Sequence, residues 1–260
     1  MAVVIALGLL AAPRRASAQH HHDEPAVWST TGTFSASLGL QAAGFDTPLY
    51  TGSYQAVVPT LGWTGRGLAL FAMLGLYHVE ENGRRVYGVG DVMVTGRATL
   101  VTRDTLALGV ALHASVPTGV QVDGLGMGHV MMMPSLWGSA RHGALTLDAS
   151  AGYSRALVAL GGAHHDHGAW PLVDPMAMQE LTWGAGASVD LGACVASCVR
   201  VGANVLGAQP FGVAMTTPRI SAAARLSWGT PRFVTAMEVA TGIAGDPFTI
   251  RGGVTGSVQF

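Results

Sequence analysis

The sequence predicts an all-β protein, a transmembrane antiparallel up-and-down β-barrel of about 12 strands, within a range of about 10 to 14. Three observations predict this fold class. Apolar and polar residues alternate in short segments along the whole chain, as strands with an outer and an inner face require. Charged residues make up only 11% of the chain, against roughly 25% in soluble domains. No uninterrupted apolar run reaches the ~20 residues of a membrane-spanning helix.

The first thirty residues are expected to lie outside the barrel. Residues 1–18 resemble a secretory signal peptide, with an apolar stretch from Val3 to Ala12 and the small-residue cleavage site Ala16-Ser17-Ala18. Cleavage there leaves residues 19–30 as a flexible His-rich segment and residues 31–260 as one barrel domain. Arg14 and Arg15 follow the apolar stretch instead of preceding it, which leaves open a start further upstream.

The strands are assigned from period-two alternation. In the fourth strand Val92, Val94 and Leu100 share one face, and Thr95 and Arg97 lie on the other. The same pattern is repeated along the chain. The expected strands begin near Thr31, Ser53, Gly67, Val92, Leu106, Val130, Leu145, Glu180, Cys198, Arg219, Arg232 and Phe248.

The connections between these strands alternate in length. Short turns are expected at residues 64–66, 102–104, 141–143, 194–198 and 229–231, and longer loops at 79–91, 117–129, 155–178 and 207–218. Short periplasmic turns and longer outer loops are typical of outer-membrane barrels, and an even strand number returns both chain ends to the periplasm. Aromatic residues are then expected at two rims: Phe34, Trp63, Trp228, Phe233 and Phe260 at the inner rim, and Tyr54, Tyr153 and Phe248 at the outer rim.

The last thirteen residues, Phe248–Phe260, alternate strictly and end on an aromatic residue. They resemble the closing strand of a bacterial outer-membrane barrel, in which a terminal Phe is the usual assembly signal. The resemblance implies that Phe260 is recognised by the barrel-assembly machinery and that outer-membrane lipid surrounds the protein after export. A net charge of −1 provides no electrostatic basis for binding nucleic acid.

Three short motifs in the middle of the chain resemble one family of outer-membrane proteins. They are Gly88-Val89-Gly90-Asp91, Val116-Pro117-Thr118-Gly119 and Pro134-Ser135-Leu136. The family is named for the meta-cleavage pathway of phenol degradation and is grouped with barrels that resemble long-chain fatty-acid transporters. The resemblance implies transport of small hydrophobic or aromatic compounds. Without the resemblance, the motifs can also be interpreted as turns and strand ends, because Gly and Asp suit tight turns and Pro ends a strand.

Charged residues on the polar parity of the strands are the candidate functional residues. A barrel of this size has a lumen that side chains fill or leave as a narrow channel. We expect the protein to act as a passive channel or transporter-like barrel for small solutes. The same charges also fit a second interpretation, in which they simply pair across the lumen. The expected lumen-lining residues are Arg97, Asp148, Asp190, Arg200, Arg225, Glu238 and Arg251.

Two His-rich segments favour an alternative function, a metal-binding barrel. His164, His165 and His167 fall in the longest outer loop, and His20 and His21 follow Gln19 at the start of the mature chain. Imidazole beside carboxylate suits Zn, Cu or Ni, although no cofactor is firmly predicted. The two segments lie on opposite sides of the membrane in this topology, so they do not share one ion.

The remaining candidates are a cysteine pair and a hydrolase. Cys194 and Cys198 have the spacing of neither a zinc site nor a C-x-x-C redox motif. A disulfide across a tight turn is expected in the oxidising periplasm, with free thiols as the alternative. An outer-membrane hydrolase is the second alternative function, since His113 and Ser115 share one parity. No G-x-S-x-G or H-E-x-x-H motif occurs, and an enzyme is not expected.

Overall fold

The computed structural model describes residues 32–47, 51–159, 173–174, 176–191, 197–211 and 217–260. These residues form fourteen β-segments and one short 3-10 helix, Gln121–Asp123. The segments are β1 (Thr33–Asp46), β2 (Thr51–Gly65), β3 (Leu68–Met73), β4 (Leu76–Glu81), β5 (Arg84–Val89), β6 (Val92–Arg103), β7 (Leu106–Val116), β8 (His129–His142), β9 (Leu145–Ala159), β10 (Gln179–Leu191), β11 (Cys198–Pro210), β12 (Arg219–Gly229), β13 (Phe233–Ala244) and β14 (Phe248–Gln259).

The segments form a closed antiparallel barrel of twelve wall strands. Neighbouring strands pair in chain order, and β14 pairs with β1, which also pairs with β2. β3 and β4 both pair with β2, so they are two parts of one wall strand broken at residues 74–75. β6 and β5 pair with β3 and β4 in the same way and are broken at residues 90–91. The predicted fold is confirmed, and closure is how a sheet satisfies its backbone groups in lipid.

One predicted loop is wrong. Residues 79–91 are not a long connection, because β4 and β5 continue through them as a hairpin. Asn82 and Gly83 form its turn, with φ of 46° and 82°. Two positive φ values suit a two-residue turn whose twist matches the flanking strands, and Asn-Gly is its preferred sequence. β9 and β11 also extend further than predicted, to Ala159 and Pro210.

The outer surface of the barrel is apolar. Leucine, valine and isoleucine side chains with about half of their surface exposed lie on the outward parity, among them Leu38, Leu61, Leu136 and Ile250. Phe34, Trp228, Phe233 and Phe260 are exposed at the end that holds the chain termini. Such a belt with aromatic residues at its edge is typical of barrels in lipid.

Two aromatic residues predicted at the outer rim point into the barrel instead. Tyr54 and Phe248 have at most 1% of their surface exposed, and their ring centres lie 5.8 Å apart. A β-bulge explains Phe248: Gly44 pairs with Ile250 but the next residue, Phe45, pairs with Phe248. The extra residue, Thr249, reverses the side-chain parity at this point. Tyr153, the third predicted rim residue, is exposed.

The described part of the chain contains no helix long and apolar enough to cross a membrane.

Candidate functional site in the barrel lumen

The inner surface of the barrel has two chemically different walls. Inward side chains of β1 to β4 and β6, together with Phe248 of β14, form one buried apolar cluster, and its aromatic members are Phe45, Tyr54, Phe71, Tyr77 and Phe248. Gln41 of β1 and Thr95 of β6 are buried polar residues on the same side of the barrel. The inward side chains of β9 to β14 are mostly polar. Their buried members include Thr146, Ser154, Glu180, Ser188, Asp190, Ser221, Glu238, Arg251 and Ser257. The lumen is therefore amphipathic, with an apolar wall facing a polar one.

The polar wall carries ion pairs between neighbouring strands and, from β8 to β10, across one intervening strand. Asp190 of β10 accepts hydrogen bonds from Arg200 Nε, at 2.5 Å, and from Arg141 Nη2, at 3.1 Å. Arg225 of β12 lies 4.0 Å from Glu238 of β13. In each pair the carboxylate has less than a tenth of its surface exposed. Because these buried carboxylates lie beside guanidinium groups, their charges are compensated, which favours the pairing interpretation for these residues.

The other predicted lumen residues also lie on the inner face. Arg251 donates to Asp246 Oδ2 at 2.7 Å and lies over the Phe248 ring. Arg97 stacks on the Trp137 ring, with its guanidinium carbon 3.4 Å from the ring centre. Asp148 lies half-buried on the inner face of β9.

One buried ion pair was not predicted. Arg219 Nη2 donates to Glu180 Oε2 at 2.5 Å, and the Ala177 amide donates to the same oxygen at 3.2 Å. Glu180 and Arg219 both lie on the polar face of alternating segments in the sequence. The alternation was therefore enough to predict that they point into the lumen. The pair lies at the outer end of the polar wall, where β10 and β12 begin.

Two of the three motifs in the middle of the chain, residues 88–91 and 116–119, meet in a single hydrogen-bonded junction, whereas Pro134-Ser135-Leu136 lies within β8. Asp91 accepts from the Gly119 amide at 2.9 Å and from the Met127 amide at 2.8 Å. Thr118 Oγ1 donates to the Gly90 carbonyl and accepts from the Val92 amide. We call these contacts the Asp91 latch. It ties the segment 117–128, which connects β7 to β8, to the break between β5 and β6.

The latched segment packs onto the apolar wall. Leu125 has 1% of its surface exposed and belongs to the apolar cluster. A Cβ at Gly88 would meet the Leu125 side chain, and one at Gly126 would meet Asp91. The Arg84 side chain forms an ion pair with Asp123 of the 3-10 helix. The glycines of the G-x-G-D motif thus provide the close approach that lets the segment fold against the strand break.

A small cavity lies beneath the latched segment. Its volume is about 10 Å³, roughly the space that one water molecule needs. Its lining includes Met73, Met93, Met127, Asp91 and Asp174. Loss of solvent raises the pKa of Asp174 to about 7, and the negative charge of Asp91 acts in the same direction. The lining of the cavity therefore combines three methionines with two aspartates.

Several predicted residues lie outside the described part of the chain: His20, His21, His164, His165, His167 and Cys194. Cys198, at the start of β11, is disulfide-bonded, and its pairing with Cys194 stays a prediction. No group of three His, Cys, Asp or Glu side chains among the described residues is placed to hold a metal ion. Zinc, copper or nickel at the His-rich segments also stays a prediction.

The candidate hydrolase pair is arranged differently from a catalytic one. His113 Nδ1 is hydrogen-bonded to Thr95 Oγ1 at 2.9 Å, across from it on β6. Ser115 shares the inward parity and is buried, with 1% of its surface exposed. A serine nucleophile needs its base within hydrogen-bonding reach, and the bond that the structure gives to His113 goes to Thr95 instead.

Comparison with solved structures places the chain among outer-membrane barrels in fold. An outer membrane channel from Pseudomonas putida F1 has a TM-score of 0.64 at 13% identity, over 92% of this chain and 100% of that one. The translocator domain of the autotransporter NalP from Neisseria meningitidis has a TM-score of 0.55 at 13% identity, over 99% and 97%. The KdgM porin has a TM-score of 0.52 at 10% identity, over 87% and 99%.

Sequence comparison adds no closer relationship. No protein-family model matches the chain, and no curated protein matches it. At these identities the likeness to solved structures establishes the barrel fold alone.

Proposed function

We propose that this protein is a passive channel of the bacterial outer membrane for small solutes. The amphipathic lumen carries the proposal: a closed barrel encloses an apolar wall, with Phe45 and Phe71, and a polar wall, with Asp190 and Glu238. The charges of the polar wall pair along that wall, between β10 and β11 and between β12 and β13, so these pairs do not bridge the lumen to the apolar wall. Channels and porins among the similar structures support the same function.

The lumen chemistry favours small hydrophobic or aromatic solutes of low charge. Aromatic and aliphatic side chains on one wall match an apolar solute body, and hydroxyl and carboxylate groups on the other provide hydrogen bonds. Because these ion pairs largely neutralise the charged side chains of the polar wall, no strong preference for anions or cations is expected. The resemblance to the phenol meta-pathway family points to the same solute class.

The outer surface of the barrel supports a location in the outer membrane. Its apolar belt suits lipid, and the exposed terminal Phe260 is available to the barrel-assembly machinery during insertion. Export by the signal peptide of residues 1–18 completes the route. We propose no enzymatic step, and transport in this scheme is driven by the solute gradient alone.

Planar-bilayer recording and liposome swelling test the proposal on the purified barrel. We expect small stepwise conductance and faster swelling with small aromatic solutes than with sugars of similar mass. Asn204→Trp puts a large ring on the inner face of β11 and should reduce both signals. Val205→Trp, one residue on and facing outward, is the matched control. A correctly folded protein that conducts nothing and admits no solute would show the proposal to be wrong.

A further inference from the structure

Three methionine side chains meet at the cavity beneath the latched segment. Met73 of β3 and Met93 of β6 are direct partners in the antiparallel register, so their side chains lie side by side on the inner face. Met127 reaches the same cavity from the segment between β7 and β8. All three are buried, with 7%, 6% and 3% of their surfaces exposed.

The position of Met127 is fixed by its backbone. Its amide donates to Asp91 Oδ2 at 2.8 Å, and Asp91 stands two residues before Met93, in the break between β5 and β6. The Asp91 latch therefore holds the third thioether against the other two. Because the methionine side chain has three rotatable bonds, small rotations are enough to direct three sulfurs at one point.

The two carboxyl groups at the cavity argue against a purely apolar packing role for the methionines. Buried carboxylates cost free energy unless a partner compensates them. Asp91 is compensated by the Gly119 and Met127 amides. Asp174 is buried, and the two guanidinium groups that act on it electrostatically, Arg219 and Arg251, form ion pairs with Glu180 and Asp246. A cation bound between the sulfurs would be compensated by the negative charge beside it.

We propose that Met73, Met93 and Met127 form a binding site for one soft monovalent metal ion, Cu(I) or Ag(I). Thioether sulfur selects soft ions over Zn²⁺, Mg²⁺ and Ca²⁺, which prefer nitrogen or oxygen. Asp91 and Asp174 provide charge compensation, and the cavity has room for a body of about the size of one water molecule. Further thioethers lie close in sequence to Asp174, at Met176 and at Met178, which is 46% exposed.

This site is independent of the proposed channel function, and its test uses binding instead of conductance. The folded barrel in detergent is titrated with Ag(I) in air and with Cu(I) under anaerobic conditions against a competing chelator. We expect one high-affinity ion per chain, with sulfur in its first coordination shell by X-ray absorption. Leucine replaces methionine with little change in volume, so each single Met→Leu variant should bind at least about tenfold more weakly.

The matched control is Met237→Leu, on the outward face of β13, which should leave affinity unchanged. Replacing His164, His165 and His167 by Ala should also leave the sulfur signal in place, which separates this site from the His-rich loop. Heat-modifiable migration on gels checks that each variant is folded. If the folded triple variant Met73→Leu, Met93→Leu, Met127→Leu binds as before, or if wild-type protein shows only nitrogen or oxygen ligation or no uptake, the proposal is overturned.

Discussion

The Met127 amide donates a 2.8 Å hydrogen bond to Asp91 Oδ2, and this bond joins the segment before β8 to the break between β5 and β6. The second oxygen of the same carboxylate accepts from the Gly119 amide. One side chain therefore satisfies two backbone donors of a segment that has no regular sheet pairing of its own. This arrangement makes Asp91 the residue that controls whether the segment stays folded onto the apolar wall.

Asp91→Ala should release the segment 117–128. The substitution leaves two backbone N–H groups without their partner, at about 1–3 kcal/mol for each donor that stays buried. We expect faster cleavage within residues 117–128 by proteinase K and a larger conductance, while the barrel remains folded. Asp104→Ala, in the exposed turn between β6 and β7, is the control. Equal protection of the segment in both variants would contradict the latch.

The contacts of the Asp91 latch could not be predicted from the sequence, although the barrel could. Alternation and loop lengths predicted the barrel because each wall strand has lipid on one side and the lumen on the other, which imposes a period of two. Asp91 and its partners Gly119 and Met127 lie 28 and 36 residues apart in sequence. Their hydrogen bonds depend on how the segment 117–128 folds inward, and the period-two pattern of the strands does not predict the path of a loop. The motifs were visible, but their mutual contact was not.

Two other differences between the predicted and the observed structure have local causes. The hairpin of β4 and β5 was missed although Asn82-Gly83 is a strong signal for a two-residue turn. Phe248 was assigned outward because strict alternation hides the bulge at Thr249, and a single extra residue reverses the face of what precedes it. The inward direction of the charged lumen residues was predicted correctly from the alternation. Arg225, Glu238 and Arg251 lie in regularly paired parts of their strands, where the period of two is unbroken.

Phe248→Ala should destabilise the barrel because the ring is inside. Phe248 makes edge-on contacts with Phe45 and Tyr54, at ring-centre distances of 6.3 and 5.8 Å. Removing a fully buried aromatic ring costs about 3–5 kcal/mol. Urea unfolding in detergent, followed by tryptophan fluorescence, measures the change. Tyr153→Ala, at an exposed aromatic of the same barrel end, is expected to cost much less, and a similar loss in both variants would place Phe248 at the lipid face after all.

Glu238→Gln should shift ion selectivity toward anions. The carboxylate is buried and lies 4.0 Å from Arg225, so its neutralisation leaves a positive charge on the polar wall. The reversal potential in a salt gradient measures the shift. The double variant Arg225→Gln, Glu238→Gln removes both charges and should return the potential close to that of the wild type. Identical potentials in all three proteins would mean that permeating ions do not pass this pair.

Gly88→Ala should open the latched segment without touching any hydrogen bond of the latch. A Cβ at Gly88 would meet Leu125 Cδ1, whereas one at Gly96, on the same wall strand, makes only an ordinary contact with Leu70. Since Leu125 is packed in the apolar cluster, it yields only by moving the loop, at about 1–3 kcal/mol for overpacking. We expect faster proteolysis of residues 117–128 in Gly88→Ala than in Gly96→Ala. Unchanged protection in both variants would mean that Leu125 adjusts within its pocket, and that the hydrogen bonds of Asp91 alone hold the segment in the barrel.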